Sequence, residues 1–132
     1  MDADQLCRQY LKAIEAGDFT AVLGFFSVQA RVVSPLYGTQ PADLYFAKLF
    51  SDSQRSTCRI IRVLTSPAPD TAIALQFFYC WTLQSGAVLE FEVVNILEMN
   101  ADGNVSKLTV LYDTAPLRAL HEPAARRHEP DT

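Results

Sequence analysis

Residues Val88 to Met99 read V-L-E-F-E-V-V-N-I-L-E-M, a stretch that alternates with a period of two and breaks its own pattern once. Successive side chains of a β-strand point to opposite faces. Glu90, Glu92 and Glu98 therefore share one face, and Leu89, Phe91, Val93, Asn95 and Leu97 share the other. The glutamates belong to water and the apolar row to a core. Asn95 stands in that apolar row, where an amide left without partners costs roughly 1–3 kcal/mol. It must be bonded to protein, to ordered water or to a ligand.

Three more β-branched and aromatic runs surround this strand: Thr57 to Thr65, Ala72 to Leu83, and Val105 to Tyr112. The segments between them, Ser66 to Asp70, Gln84-Ser85-Gly86 and Asn100 to Gly103, are turn-forming and short, which predicts an antiparallel meander. In the second run the bulkier parity, Ile73, Leu75, Phe77, Tyr79 and Trp81, faces the core. In the last run Leu108, Val110 and Tyr112 do so. The facing of Thr57 to Thr65 stays open, because Arg59 and Arg62 fall on opposite parities. Phe78, Cys80, Val94, Ile96 and Leu111 leave the outer face unusually apolar, and a symmetric homodimer across that face is expected.

Upstream the period changes to that of helices. Leu6, Tyr10, Ala13 and Ile14 make the buried stripe of a first helix that ends at Gly17. Asp18 offers an N-cap to a second, shorter helix with Phe19, Val22, Leu23 and Phe26 on its apolar side. Ala30 to Ser34 is a short strand stopped by Pro35 and turned through Leu36-Tyr37-Gly38. Pro41 suits the first position of a third helix, whose stripe is Ala42, Tyr45, Phe46, Leu49 and Phe50. Helices first and strands afterwards predict an α+β domain with three N-terminal helices packed on a strongly curved antiparallel sheet.

A chain of 132 residues with 49% apolar content makes one domain with a continuous core, read here as 1–120. Residues 121–132 lack apolar period and read as a disordered or loosely attached tail, which holds both histidines, His121 and His128. A net charge of -4 and no basic run outside the tail argue against nucleic-acid binding. Cys7, Cys58 and Cys80 are odd in number, widely spaced and without metal-ligand spacing, as expected of buried thiols in a reducing cytoplasm with no metal or other cofactor. No run approaches the ~20 apolar residues of a membrane span, so a soluble, cytoplasmic protein without membrane partners is expected.

The words R-Q-Y-L-K-A-I-E-A-G-D-F (Arg8 to Phe19), V-L-G-F-F-S-V-Q-A-R-V-V-S-P (Val22 to Pro35) and L-Y-D-T-A-P-L-R (Leu111 to Arg118), in this order of elements, resemble the nuclear-transport-factor-2-like (NTF2-like) superfamily. Within it they resemble the SnoaL-like and ketosteroid-isomerase-like branch. The resemblance implies a cone-shaped pocket between the helices and the concave sheet face, usually in a homodimer. Ketosteroid isomerases combine an aspartate base with an oxyanion hole of a tyrosine and a neutral aspartic acid. Matching the motifs puts Ser34 at the base, Asn95 at the neutral acid and Tyr10 at the tyrosine. A serine hydroxyl without a base of its own does not take a carbon-bound proton at neutral pH. The inward carboxylate that epoxide-hydrolase-like and cyclase-like members place on the sheet is also missing, since Leu108, Val110 and Tyr112 occupy that row.

Asp113 reads as the N-cap of a terminal helical turn or else a rim carboxylate, and Asp43 as a solvated first-turn helix acid in preference to a base. The expected function is binding of a small, largely apolar molecule bearing a carbonyl or phenol oxygen, with isomerase- or cyclase-like chemistry open and no catalytic base named. Tyr10 and Asn95 are the expected oxygen donors. Ser34, Tyr45, Phe46, Phe50, Tyr79, Trp81, Phe91, Val93, Val110 and Tyr112 are the expected pocket. The alternative is a non-catalytic dimeric binding or interaction module of the same fold, in which Tyr10 and Asn95 bond each other or a trapped water.

Overall fold

Helix α1 (Ala3–Ala16) is closed at both ends by its own sequence. Asp2 accepts from the Gln5 N–H at 2.8 Å while Gln5 accepts from the Asp2 N–H at 3.2 Å, a reciprocal cap on two otherwise unpaired donors. At the other end Gly17 takes φ +64, a conformation costly for any residue with a Cβ, and its N–H reaches back to the Ile14 carbonyl. Asp18 then accepts from the Ala21 N–H and starts α2 (Phe19–Leu23). The computed structural model that gives these contacts describes residues 1–69 and 71–117. The 121–132 tail with His121 and His128 lies outside the described residues, as do Arg118 to Leu120 of the expected domain.

Helix α2 is shorter than its apolar spacing suggests. Gly24 ends it, and Phe26 opens β1 (Phe26–Ser34) instead of completing a helical stripe. In that position the Phe26 ring meets Phe46 at 5.3 Å and Tyr10 at 6.3 Å, contacts that join the sheet to two helices. A strand unread in the sequence, β2 (Gly38–Pro41), pairs antiparallel with β1 around Pro35-Leu36-Tyr37. Four residues rich in turn formers carry no period to detect. Pro41 ends β2 and stands just before α3 (Ala42–Asp52), one place earlier than expected.

The remaining strands are β3 (Ser53–Thr65), β4 (Ala72–Leu83), β5 (Val88–Met99) and β6 (Val105–Leu111). They form one six-stranded sheet in the order β2-β1-β6-β5-β4-β3. The meander is antiparallel as read, but β1 joins β6 in parallel, so the sheet is mixed at that single seam. After the β1–β2 hairpin, helix α3 carries the chain to the far edge of the sheet, and the long connection from β1 to β6 permits a parallel pair.

The facing of β3 is resolved by a bulge. Ile60 pairs with Phe77 and Arg62 with Gln76, so Ile61 is an extra residue and the parity reverses across it. Arg59, opposite Phe78, and Arg62, opposite Gln76, therefore share the outer face despite their spacing. On the inner face Leu75, Leu97, Leu108 and Val32 are fully buried under Tyr10, Val22 and Phe46 from the helices. Among the described residues no helix is long and apolar enough to cross a membrane.

Candidate functional site

Helices α1 and α3 lean against the concave side of β4, β5 and β6 without filling it. The space between them is a cone with a cavity volume of about 40 Å³, room for a few waters at most. Its walls include all five tyrosines of the chain, Tyr10, Tyr37, Tyr45, Tyr79 and Tyr112, and its single tryptophan, Trp81. An ordinary core would use phenylalanine and leucine there, because each buried hydroxyl needs a partner.

Most of those hydroxyls have one. Tyr10 donates to Asn95 Oδ1 at 2.9 Å, deep in the cone where the two residues are 1% and 3% exposed. Tyr37 donates to Asp52 Oδ2 at 2.6 Å near the mouth. Tyr79 shares a hydrogen bond with Ser56 at 2.7 Å, and Tyr112 has the Ser34 hydroxyl beside it. Among the described residues the Tyr45 hydroxyl has no protein partner, and neither has Asn95 Nδ2, whose amide is engaged only through its oxygen. Burial pushes all five phenols above their ordinary value of 10.0, so each keeps its proton. For Tyr10 the surrounding Tyr45, Cys58, Cys7 and Tyr79 add to that effect.

The structure thus brings Tyr10 and Asn95 together at the apex, with Tyr45, Phe46, Tyr79, Trp81, Phe91, Val93, Val110 and Tyr112 on the walls. Ser34 and Phe50 lie off the walls. Ser34 Oγ accepts from the N–H groups of Leu36 and Tyr37, both at 3.3 Å, and so fixes the β1–β2 turn. Phe50 lies one turn along α3 from Phe46, their rings 6.2 Å apart. Ile14, Tyr37, Leu49 and Phe77 complete the lining. Ile14, Leu49 and Phe77 were visible as inward positions by period. Tyr37 was not, because a turn residue carries no periodicity.

Among the described residues the walls hold no carboxylate, histidine or thiol. Asp43 is exposed in the first turn of α3 and accepts from the N–H of Leu44, and Asp113 accepts from that of Ala115. Burial and Asp4 push the Cys7 thiol up to about 11, and burial and Glu15 push Cys58 up to about 12, which leaves neither as a thiolate at neutral pH. Among the described residues no group of three or more His, Cys, Asp or Glu comes together to hold a metal. What the cone offers is hydrogen-bond donors, Asn95 Nδ2 and the Tyr45 hydroxyl among them, in an aromatic enclosure.

No protein-family model and no curated protein matches the chain. Solved structures match it closely in shape. An NTF2-like protein of unknown function from Burkholderia pseudomallei K96243 superposes with a TM-score of 0.75 at 17% identity, over 89% of this chain and 95% of that one. A SnoaL-like protein of unknown function from Burkholderia thailandensis E264 does so with a TM-score of 0.65 at 16% identity, over 84% and 93%. TerC, co-crystallised with polyporic acid, gives 0.73 at 15% identity, over 90% and 97%. Likeness at these identities is a likeness of fold: the chain has the NTF2-like α+β cone.

The apical bond generates a stability prediction. Tyr10→Phe strands the Asn95 oxygen and Asn95→Leu strands the Tyr10 hydroxyl, so each should cost about 1–3 kcal/mol in urea denaturation. The double variant should cost less than the sum by about 0.5–3 kcal/mol, since the second change removes a group already left unpaired. Additive losses would show that the two side chains do not depend on each other.

Proposed function

We propose that the cone binds a small, largely apolar ring compound through a carbonyl or phenol oxygen, with Asn95 Nδ2 and the Tyr45 hydroxyl as donors. The observation that carries this reading is that these two donors face an aromatic cavity and have no protein partner among the described residues. A donor that opens onto an aromatic cavity is placed to bond a ligand oxygen, since ligand sites set a few polar groups in largely apolar walls. Tyr10 acts behind Asn95. Its proton rests on Asn95 Oδ1, which fixes the amide with its N–H groups turned to the cavity and leaves Tyr10 no proton for the ligand. That a protein of this fold, TerC, was co-crystallised with polyporic acid supports a cone that admits an organic molecule.

Binding without turnover is the form of this proposal that the wall chemistry favours. Isomerase- or cyclase-like proton transfer needs a base within reach of the substrate, and Ser34 has its oxygen occupied by two backbone N–H groups. A ligand larger than a few waters enters when the half-buried rings at the mouth, Tyr37, Phe91 and Tyr112, turn outward. The small enclosed volume and the Tyr10–Asn95 bond favour one competing reading, a cone that is simply a well-packed core in a non-catalytic module.

A second copy of the chain is the other partner we propose, seated on the outer sheet face. Phe78, Cys80, Val94 and Ile96 are only partly covered there, and Leu111 is 51% exposed. Arg59 lies over the Phe78 ring at 5.4 Å and Gln76 donates to Glu92 at 3.3 Å, so the apolar strip has a polar border of the kind interfaces carry. A cytoplasmic location belongs to the same proposal, supported by three free thiols.

A neutral chromogenic phenol, 4-nitrophenol below its own titration, tests the donors by absorbance. Asn95→Leu and Tyr45→Phe should each weaken binding by about 0.5–1.5 kcal/mol relative to wild type, whereas equal affinity in all three would remove both residues from the site. Light scattering at micromolar concentration tests the face. The wild type should have the mass of a dimer and Ile96→Lys that of a monomer, because the interface would desolvate an unpaired ammonium. A monomeric wild type would contradict the assignment.

A further inference from the structure

We propose that the rim of the cone carries a second polar subsite, formed by Tyr37 and Asp52, that accepts a hydrogen bond from a hydroxyl or N–H at the outer end of the ligand. The proposal rests on the cone being the ligand site, and it gives that ligand a direction. Tyr37 sits at the tip of the β1–β2 turn, where Ser34 Oγ holds the backbone N–H groups of both Leu36 and Tyr37. Its ring forms part of the cavity wall and meets Tyr45 edge-to-face at 5.8 Å. Its hydroxyl donates to Asp52 Oδ2 at 2.6 Å, from the last residue of α3, and Lys48 Nζ stands 3.6 Å from the other carboxylate oxygen. The Asp52 side chain is 22% exposed, so this pair stands at the mouth while Tyr10 and Asn95 stand at the apex.

A phenol has one proton, and here it is committed to a carboxylate. What remains on the Tyr37 oxygen is acceptor capacity, strengthened because a short charge-assisted bond increases the electron density on the donor oxygen. The two ends of the cone therefore have opposite polarity. Asn95 Nδ2 and the Tyr45 hydroxyl donate inside, and Tyr37 accepts at the rim. A ring compound with an acceptor at one end and a donor at the other satisfies both, whereas a simple ketone satisfies only the inner end. Burial together with Asp52 raises the Tyr37 pKa, so the phenol holds its proton and this polarity across neutral pH.

Calorimetric titration with 6-hydroxy-1-tetralone and 6-methoxy-1-tetralone separates the rim from the cone itself, because the two probes share the carbonyl and differ in the outer donor. Wild type should prefer the hydroxy compound by roughly three- to tenfold, the span of one net hydrogen bond. The preference should fall to about one in Tyr37→Phe, which has no oxygen. It should fall likewise in Asp52→Asn, whose amide N–H can turn to Tyr37 and occupy the free lone pair. Equal binding of both probes to wild type, or a preference that survives both substitutions, would overturn the rim subsite and leave the cone reading standing. Failure of both probes to bind would overturn the cone reading and the subsite with it.

Discussion

The hydrogen bond from Tyr10 to Asn95 joins the middle of α1 to the middle of β5, and much of the molecule is arranged around the need to make it. It lies where neither group reaches bulk water, so breaking it strands both partners. Making it ties α1 to β5 across the concave side of the sheet, at the apex of the cone. The bond also sorts the two residues into roles, because it uses the Tyr10 proton and the Asn95 oxygen and leaves the Asn95 N–H groups available.

The rest of the wall follows the same economy of protons. Ser56 shares a bond with Tyr79, Ser34 stands beside Tyr112, and the Trp81 indole N–H donates to Ser53 Oγ at 2.7 Å. Small hydroxyls behind the large rings thus satisfy the polar ends of the aromatics and keep their faces toward the cavity. Tyr45 and Asn95 are the exceptions, and the functional reading rests on them.

Where the sequence has a period, it was legible. The strands Ala72–Leu83 and Val88–Met99 and the inward parity of both appear as read, including the buried Asn95. So do the helix ends at Gly17 and Asp18, because caps are local chemistry. Besides β2 and the parallel β1–β6 seam, three things escaped. Phe26 looked helical by spacing, but tertiary contacts with Phe46 and Tyr10 hold it in a strand. The bulge at Ile61 reversed the parity of β3, and no alternation rule anticipates an inserted residue. Tyr37 and Asp52 meet across fifteen residues of turn, strand and helix, a juxtaposition that only the folded chain creates. The apex of the site could be read from periodicity because regular elements build it, and the rim could not because a turn and a helix end build it.

The central claim is that the apical amide receives a ligand oxygen, and a crystal structure of the protein soaked with 1-tetralone tests it most directly. The account predicts the bicyclic ring between Tyr79, Trp81 and Phe46, with its carbonyl oxygen within about 3.0 Å of Asn95 Nδ2 and the Tyr10–Asn95 bond intact. A cone closed by its own side chains, or a tetralone bound elsewhere on the molecule, would contradict it.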